Sequence, residues 1–308
     1  MNGKIYVTLS SFAKENDVPL KLLEDSGHPF EINQTGKRFD QSQLVAAAKG
    51  CVGVVAGLET YDADVLSELT DLRCISRCGV GIDNIDLEKA KEAGITVLNT
   101  PDVVIQPVAE LTVAFAFDLL RKVTQQTLTM KQKQWKRISG CNLRGKTIGI
   151  LGLGRIGRRV AELFCALQVK VIGTDLVPDE AWAKEYNVSI MDTDQVLAKA
   201  DIVSIHMTHL EENPFQLSKE HFVKMKKGAM LINAARGSFV NEDDLYDALT
   251  SGQLAAAALD VYQKEPYEGP LASLDNVILT PHIGTQTLES RVEMECQAVN
   301  NLLNFLKA

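Results

Sequence analysis

Short apolar stretches alternate with helix-like stretches along almost the whole chain. The first set of apolar stretches predicts strands at Ile5–Leu9, Gly53–Ala56, Cys74–Ser76 and Thr96–Leu98. The helix-like stretches between them are Pro19–Ser26, Gln41–Lys49 and Leu87–Ala93. A second set predicts strands at Thr147–Leu151, Val169–Thr174, Ile202–Ile205, Ala229–Asn233, Ala256–Leu259 and Val277–Leu279. Strands without a polar face that alternate with helices are typical of parallel sheets covered by helices, so the pattern predicts an α/β protein with doubly wound sheets.

A long helical stretch, Pro107–Lys136, separates the two sets of strands. Its apolar face is unusually wide and is formed by Val108, Leu111, Val113, Ala114, Phe115, Phe117, Leu119 and Leu120. A helix this apolar must be buried on more than one side, so we expect it to bridge two domains or to make a subunit contact. The final stretch, Leu288–Leu306, is amphipathic and is predicted to fold back onto the first domain. We therefore expect the chain to cross between two domains near residue 100 and again near residue 283.

The length and composition agree with two soluble domains. A chain of 308 residues is long enough for two hydrophobic cores, and 45% hydrophobic with 23% charged residues is the usual mixture of a globular protein. A net charge of -8 argues against a nucleic-acid surface, which needs a basic stripe. No uninterrupted apolar run reaches membrane-spanning length. We therefore expect neither a nucleic-acid partner nor a membrane partner.

The cysteines and the first residues indicate the cell compartment. The six cysteines are scattered, and the one close pair, Cys74 and Cys78, has no nearby histidine, so the spacing does not predict a metal site. We expect reduced thiols in a reducing compartment. The first residues resemble a strand and lack the features of a signal peptide. These observations favour a cytoplasmic protein.

A glycine-rich motif after one strand carries the clearest functional signal. The motif Gly152-Leu153-Gly154-Arg155-Ile156-Gly157 directly follows the strand Thr147–Leu151 and precedes the predicted helix Arg158–Leu167. The first glycine permits a tight turn, the second lets the backbone approach a pyrophosphate, and the third lets helix and strand pack closely. The helix N-terminus presents N–H groups to the phosphates. The order predicts a dinucleotide site rather than a purely structural glycine turn.

An acidic residue after the next strand selects the kind of dinucleotide. Asp175 lies 18 residues after Gly157, where a carboxylate can accept hydrogen bonds from a ribose diol. Its charge would repel a 2′-phosphate, and Leu176, Val177 and Pro178 bring no cation to reverse that preference. The predicted cofactor is therefore NAD.

Ionisable residues follow three further strands of the second set. Arg236 comes after one strand, Asp260 and then Glu265 after the next, and His282 after the third. In open parallel sheets the ligand crevice lies beyond the carboxyl ends of the strands, so these side chains are expected to lie in it. A surface ion pair for the arginine and a structural role for the histidine are the alternatives. Three such residues after separate strands of one sheet favour a catalytic group.

The chain resembles the D-isomer-specific 2-hydroxyacid dehydrogenase family, in the branch nearest the phosphoglycerate dehydrogenases. The resemblance rests on the glycine motif, on the three downstream stretches, and on the matching sequences at 77–86, 99–101, 109–112 and 145–157. It covers nearly the whole chain. It implies a flavodoxin-like substrate domain, residues 1–100 plus 283–308, into which a Rossmann NAD-binding domain, residues 101–282, is inserted.

The resemblance implies roles for individual residues. It assigns Arg236 to the substrate carboxylate and C2 oxygen, His282 to acid–base chemistry, and Glu265 to the histidine as its partner. A histidine suits proton exchange near neutral pH, a guanidinium can bind a carboxylate bidentately, and a neighbouring carboxylate favours the imidazolium. Further substrate-binding residues are implied at Arg77, Cys78, Gly79 and Val80, where backbone N–H groups would hold the carboxylate. Further cofactor-binding residues are implied at Val80, His206, Met207, Ala234, Ala235, Asp260 and Gly284, with a purely structural role as the alternative for His206.

Some positions depart from the phosphoglycerate pattern. Ala56 occupies the place where some phosphoglycerate dehydrogenases carry an arginine, and Glu59 adds negative charge. Arg77 is the better candidate for a phosphate. Because the given sequence ends at Ala308, we expect no serine feedback through a C-terminal regulatory module.

The resulting hypothesis is hydride transfer between nicotinamide and C2 of a small D-2-hydroxy or 2-oxo acid, with 3-phosphoglycerate and serine biosynthesis as one possibility. A hydroxypyruvate or glyoxylate reductase is the alternative within enzymes. A catalytically inactive NAD(H)-sensing protein is the alternative outside them. We also expect a homodimer formed through the cofactor domain.

Overall fold

The computed structural model describes residues 3–208 and 215–307. The strands are β1 (Lys4–Val7), β2 (Phe30–Ile32), β3 (Cys51–Ala56), β4 (Cys74–Arg77), β5 (Thr96–Leu98), β6 (Thr147–Leu151), β7 (Lys170–Thr174), β8 (Ser189–Ile190), β9 (Ile202–Ile205), β10 (Ala229–Asn233), β11 (Leu254–Leu259) and β12 (Val277–Leu279). The helices are α1 (Val18–Asp25), α2 (Gln41–Ala48), α3 (Ala63–Glu68), α4 (Leu87–Glu92), α5 (Ile105–Arg121), α6 (Val123–Lys131), α7 (Arg155–Ala166), α8 (Glu180–Glu185), α9 (Thr193–Lys199), α10 (Lys219–Phe222), α11 (Glu242–Thr250) and α12 (Leu288–Lys307).

The chain divides into two compact units. The first comprises Met1–Val104 with Thr285–Ala308, and the second comprises Ile105–Gly284. The boundaries expected from the sequence, at residues 100 and 282, differ from these by four and two residues (104 against 100, and 284 against 282).

The first unit contains a parallel sheet of flavodoxin-like topology. Among the described residues its strand order is β2-β1-β3-β4-β5, and every neighbouring pair is parallel. Helix α12 packs on this sheet: the Ser76 hydroxyl donates to the Ala298 carbonyl at 2.7 Å, and Leu302 lies against Gly53. A Cβ at Gly53 would be 2.6 Å from the Leu302 side chain, so the absence of a side chain there lets the helix approach closely.

The second unit contains a parallel sheet of Rossmann topology. In the described part of the chain its order is β12-β11-β10-β9-β6-β7-β8, again with parallel pairs throughout. Counted from β6 as the first strand, this is the order 3-2-1-4-5-6 with one further strand. The order reverses between β6 and β9, and ligands of such sheets bind beyond the carboxyl ends of the strands at that point. The predicted α/β class with parallel sheets is confirmed.

The predicted single helix Pro107–Lys136 is wrong in its extent. The structure has α5, then Lys122 with φ of +55°, then α6, which ends at Lys131. The left-handed residue breaks the helix, and the Asp118 carboxylate accepts the Thr124 N–H at 2.8 Å at the restart. The helix also begins two residues before Pro107 rather than at it.

Four of the eight side chains of the wide apolar face of α5 are buried and two are partly buried, and α5 packs against α7 of its own unit. Phe115, Leu119 and Leu120 are each less than 5% exposed. The apolar side chains left at the surface lie nearer the break and beyond it, and are Phe117, Val123, Leu128, Met130 and Trp135. No helix within 3–208 or 215–307 combines the length and the apolar character that a bilayer-crossing helix needs.

Candidate active site

The glycine motif forms a tight turn between β6 and α7. Gly152 has φ of +93°, and a Cβ there would lie 2.7 Å from the Met207 nitrogen, at the end of β9. A Cβ at Gly157 would lie 1.9 Å from the Gly152 carbonyl oxygen, so helix and strand touch at this point. By contrast, no described heavy atom outside its chain neighbours lies within 4 Å of a Cβ built on Gly154. Each glycine thus meets one of the three demands of dinucleotide binding.

The Asp175 carboxylate braces this turn from the end of β7. One of its oxygens accepts the Leu153 N–H at 2.7 Å, and the other accepts the Val177 N–H at 3.0 Å. The N-terminus of the 12-residue helix α7, capped by Gly154, points its N–H groups into the same turn. A bound dinucleotide would therefore have a helix N-terminus for its pyrophosphate and a carboxylate for its ribose, and the residues fit NAD.

The His206 side chain faces the interior. Its Nε2 lies 2.7 Å from the Ser204 hydroxyl, and burial lowers the pKa of His206 to about 3, so the ring is neutral at physiological pH. What His206 presents to Gly152 is its backbone, with the carbonyl 2.8 Å from the Cβ position of that glycine. The structural alternative accounts for the imidazole, and a cofactor contact could be made through the backbone of His206 and Met207.

The loop after β10 is folded by a buried asparagine. The Asn233 amide donates to the Arg236 carbonyl at 2.8 Å, and its oxygen accepts the Ala235 N–H at 3.1 Å. This compact Asx turn places Ala234, Ala235 and Arg236 beyond the strand end. The half-buried Arg236 donates from Nη1 to the Ala235 carbonyl at 2.7 Å.

The Asp260 carboxylate organises the loop that carries His282. Asp260 is 1% exposed and accepts three hydrogen bonds from the end of β12: from the Thr280 hydroxyl at 2.5 Å and from the N–H groups of Ile283 and Gly284 at 2.7 Å each. His282 stands between these donors with φ of +54°, a left-handed conformation that is unfavourable for a residue with a Cβ. The carboxylate therefore holds the loop in a shape that it would not adopt by backbone preference alone.

A tyrosine ties the same two strand ends together. The Tyr262 hydroxyl donates to the carbonyls of Leu259 and Thr280 at 3.0 and 2.9 Å, and its ring stacks on Tyr267 with centroids 4.5 Å apart. Burial raises the pKa of Tyr262, so the hydroxyl remains a donor at neutral pH. Its ring and hydroxyl help to fix the segment that runs on to Glu265.

His282 and Glu265 form a pair. The His282 Nδ1 lies 3.0 and 3.2 Å from the two Glu265 carboxylate oxygens. Burial by itself would raise the pKa of Glu265, but the hydrogen bond and charge of His282, the Tyr262 N–H and the charge of Arg236 together lower it. Glu265 is therefore ionised near neutral pH, and its carboxylate orients the imidazole so that Nε2 is left for a ligand.

In the first unit, the loop after β4 is held by hydrogen bonds to residues at the ends of the neighbouring strands β3 and β5. The Cys78 N–H donates to the Ala56 carbonyl at 2.9 Å, and the Gly79 N–H donates to the Thr100 hydroxyl at 2.7 Å. The Arg77 guanidinium folds over the loop, donating to the Cys78 carbonyl at 2.8 Å, and a Cβ at Gly79 would collide with it. Both N–H groups thus have acceptors in this structure, and the expectation that the Cys78 and Gly79 amides hold the substrate carboxylate stays a prediction.

The Val80 N–H thus becomes the better candidate from this loop for the carboxylate, and the Asn99 amide braces it by donating to the Val80 carbonyl at 2.8 Å. Cys78 is buried, which raises the pKa of its thiol to about 12. The thiol stays protonated at neutral pH and is part of the wall of the loop rather than a nucleophile.

The second unit thus brings together Glu265 and His282, with Arg236 close enough for its charge to act on Glu265. Sequence reasoning missed the supporting residues Asn233, Tyr262 and Thr280. Asn233 had a usable signal, because an asparagine at a strand end commonly forms a turn with the next residues. The contacts of Tyr262 and Thr280 span 18 and 20 residues along the chain, and no local pattern indicates them.

The same residues match a known family. A family model described as the NAD binding domain of D-isomer specific 2-hydroxyacid dehydrogenases matches residues 113–284, which include the glycine motif and all three candidate catalytic residues. A crystal structure of a Thermus thermophilus protein superposes with a TM-score of 0.90 at 33% identity, covering 99% of this chain and 97% of that one.

Two curated relatives differ in length. A D-3-phosphoglycerate dehydrogenase of Archaeoglobus fulgidus is 38% identical over 258 residues, which are 82% of this chain but 49% of that protein. A hydroxypyruvate reductase of Thermotoga maritima is 34% identical over 283 residues, which are 90% of this chain and 92% of that protein. The chain therefore spans about half the length of the phosphoglycerate dehydrogenase and nearly all of the reductase.

The glycine turn predicts two variants with opposite phenotypes. Gly157→Ala should lower the free energy of unfolding by about 1–3 kcal/mol, because its Cβ would overlap the Gly152 carbonyl. Gly154→Ala should leave stability within about 1 kcal/mol of wild type, because its Cβ would meet no neighbour, but should weaken NADH binding, because a pyrophosphate approaches the backbone of the second glycine of such a motif. Urea unfolding and NADH fluorescence titration measure the two effects. Unchanged NADH affinity in Gly154→Ala would contradict this account of the turn.

The Asp260 contacts predict a loss of turnover in Asp260→Asn. An amide group would set an NH₂ against one of the N–H or O–H donors of the His282 loop, at a cost of about 1–3 kcal/mol for the unsatisfied group. We expect kcat to fall by about tenfold or more as His282 loses its position. Asp275→Asn, an exposed aspartate just before β12, is the control. Steady-state kinetics showing both variants within about twofold of wild type would refute the role of the carboxylate.

Proposed function

Because the chain belongs to the D-isomer-specific 2-hydroxyacid dehydrogenase family, we propose that it catalyses the NAD-linked interconversion of a small D-2-hydroxy acid and its 2-oxo acid. The observation that supports this most strongly is the His282–Glu265 pair at 3.0 Å, beyond the strands of the sheet that carries the glycine turn. A protein that merely bound NAD(H) would have no chemical need of an oriented imidazole with a carboxylate behind it.

We assign to His282 the transfer of the proton to and from the C2 oxygen. NAD accepts or supplies the hydride when bound, and the change at C2 requires a proton to leave or reach the C2 oxygen. Glu265 stabilises the imidazolium, so in the reductive direction His282 donates a proton from Nε2 to the developing alkoxide. In the oxidative direction the neutral ring takes the hydroxyl proton. Glu265 stays ionised in both directions.

We assign to Arg236 the binding of the substrate carboxylate and of the C2 oxygen. Its planar guanidinium can bind a carboxylate through two parallel hydrogen bonds and polarise a neighbouring carbonyl. The Asn233 turn holds its backbone, and the hydrogen bond from Nη1 to the Ala235 carbonyl holds the guanidinium beside the same turn. Preorganised charge of this kind lowers the barrier because it does not have to reorient during the reaction.

We infer that the substrate is unphosphorylated, as hydroxypyruvate is. Glu59 is 2% exposed at the end of β3, where its carboxylate accepts from the Thr8 hydroxyl at 2.7 Å and the Gly57 N–H at 3.0 Å. Ala56, its near neighbour, is fully buried and brings no cation. The register of β3 and β4 pairs Ala56 with Arg77, so this negative charge lies at the same sheet edge as the Cys78–Val80 loop. A buried carboxylate there disfavours a phosphate.

A phosphorylated substrate is the second candidate, favoured by the similarity to phosphoglycerate dehydrogenases. Oxidation of 3-phosphoglycerate would place the protein in serine biosynthesis, and the phosphate would then be assigned to Arg77, whose guanidinium lies on the Cys78 carbonyl. A cytoplasmic location agrees with either substrate, since the reaction draws on the NAD(H) pool and the cysteines are free thiols.

We also propose a homodimer formed by the second unit. Val123, Leu128 and Met130 of α6 are at least half exposed, and Trp135, which follows the helix, is 79% exposed. Exposed apolar groups concentrated in one short segment indicate a covered surface. A second copy would bury the segment by the two-fold symmetry that is commonest among soluble oligomers.

The proposed reaction predicts that His282→Ala stops turnover without loss of the cofactor. Wild type should oxidise NADH with a 2-oxo acid from a panel that includes hydroxypyruvate, glyoxylate, pyruvate and 3-phosphohydroxypyruvate, and should prefer an unphosphorylated acid. The variant should lose about 10²–10⁴-fold in kcat while its NADH Kd stays near that of wild type. A wild type that binds NADH but reduces no acid would identify a sensor and refute the enzyme.

The ionised carboxylate of Glu265 predicts a loss of turnover in Glu265→Gln. The lowered pKa of Glu265 keeps the carboxylate charged throughout the neutral range, where it accepts from the His282 imidazole, whereas a neutral amide is a weaker acceptor. We expect kcat for reduction to fall by about tenfold or more as the imidazole loses its orientation. Glu268→Gln, an exposed glutamate on the same loop, is the control and should keep the wild-type kcat. A wild-type kcat in Glu265→Gln would contradict the pairing.

The proposed homodimer predicts that a charge placed in the interface lowers the sedimentation coefficient. Wild type should sediment as a dimer at micromolar concentration, and Leu128→Asp should shift it toward monomer, because a charge in a desolvated interface without a partner is costly. Thr127→Asp, on an exposed position of the same helix, tests whether added charge alone has this effect. A monomeric wild type would overturn the proposal.

A further inference from the structure

Arg158, on the first turns of α7, connects the glycine turn to the next helix. Its Nε donates to the Leu153 carbonyl at 2.9 Å, and its Nη1 donates to the Asp179 carboxylate at 2.8 Å. The guanidinium also lies over the Trp182 ring, 5.2 Å from the ring centroid. One cation is thus shared among the glycine turn, a carboxylate and an aromatic face.

The Leu153 residue is held from both sides. Its N–H donates to Asp175 at 2.7 Å, and its carbonyl accepts from Arg158. Asp175 and the Arg158 guanidinium are therefore brought to the two ends of a single residue of the turn. The glycine turn therefore has a cation, Arg158, as well as the Asp175 carboxylate that is the candidate partner of the ribose. The sequence did not indicate this cation, because only the residues after Asp175 were expected to supply one.

Asp179 fixes the guanidinium by a second set of contacts. One of its carboxylate oxygens caps α8 by accepting the Trp182 N–H at 3.1 Å, while the other binds Arg158. The Trp182 indole in turn donates to Glu162 on α7 at 3.3 Å. The side chains of Arg158 and Asp179 are 33% and 41% exposed, so a surface ion pair of this kind adds little to stability. Its consequence lies in where it places the positive charge.

A 2′-phosphate is recognised best by a guanidinium that can offer two N–H groups side by side. In this structure the Nε of Arg158 is used by Leu153 and its Nη1 by Asp179. We propose that Asp179 is a specificity-determining residue for the cofactor: by binding Arg158 it withholds the guanidinium from a 2′-phosphate, so that NAD(H) is accepted and NADP(H) rejected. Asp175 repels the phosphate directly, and Asp179 removes the cation that would otherwise compensate.

The inference rests on the NAD-dependent function proposed above and concerns the adenosine end of the cofactor, not the acid–base residues. It can therefore be tested by binding alone. The ligands are NADH, NADPH and adenosine 2′,5′-bisphosphate, titrated by fluorescence or calorimetry without any substrate. Asp175→Ser removes the direct repulsion. Asp179→Asn removes the second charge but keeps an oxygen that can cap α8, so the helix should remain folded.

The single and double variants should differ. Asp175→Ser alone should bind NADPH weakly, because Arg158 remains bound to Asp179. The double variant Asp175→Ser/Asp179→Asn should bind NADPH and adenosine 2′,5′-bisphosphate about tenfold more tightly than Asp175→Ser, the gain that one charge-assisted hydrogen bond supplies. Adding Arg158→Gln to the double variant should abolish the gain, and Arg158→Lys should keep part of it because it keeps the charge.

Arg159→Gln is the matched control. Arg159 is the next residue of α7, and its guanidinium binds Glu162 at 2.9 Å and Gln106 at 2.7 Å rather than the turn, so its loss should leave the gain intact. A double variant that binds NADPH no better than Asp175→Ser, or a gain that survives Arg158→Gln, would overturn the proposal. If wild type binds NADH but the double variant shows no such gain, only this inference is refuted. If wild type binds neither nucleotide, the cofactor assignment is refuted as well.

Discussion

The candidate site depends on one buried carboxylate, that of Asp260. It stands at the end of β11 and accepts three hydrogen bonds from the end of β12, and these hold His282 in a left-handed backbone conformation. A charged acceptor shared by three donors can offset the backbone strain, since such hydrogen bonds are stronger than neutral ones. Without that constraint the imidazole would have no reason to meet Glu265, and the strand ends would carry unrelated polar residues.

The Rossmann topology determines where everything else must be. Parallel strands bring their carboxyl ends to one edge of the sheet. That edge therefore carries the glycine turn after β6, the Asn233 turn after β10, and Asp260 after β11 with its three hydrogen bonds. The loops after β10 and β11 are each braced by a buried polar side chain placed where a strand ends, Asn233 and Asp260. The same principle recurs at Asp175, which braces the glycine turn while remaining a candidate for the ribose. Binding and catalytic groups are thus fixed by the fold before any ligand arrives.

The features readable from sequence were those with a local signature. The strand Thr147–Leu151, the glycine motif and Asp175 lie close together in the chain, and each has a fixed spacing with a physical reason. The pairing of His282 with Glu265 came from a family resemblance, because no spacing rule connects residues on separate strands. Two features depended on atoms that sequence does not place: the left-handed break at Lys122, and the bonds of the Cys78 and Gly79 amides to Ala56 and Thr100. Buried amides must be paired, but their partners become visible only in three dimensions.

The most direct test of the account follows the hydride itself. NADH carrying deuterium at both C4 positions of the nicotinamide should be incubated with wild-type protein and the 2-oxo acid with a chiral product that it reduces best, and the product analysed by NMR and chiral chromatography. The account predicts a 2-hydroxy acid of D configuration with deuterium at C2. A product of L configuration, a product without deuterium at C2, or no product from any acid would contradict it.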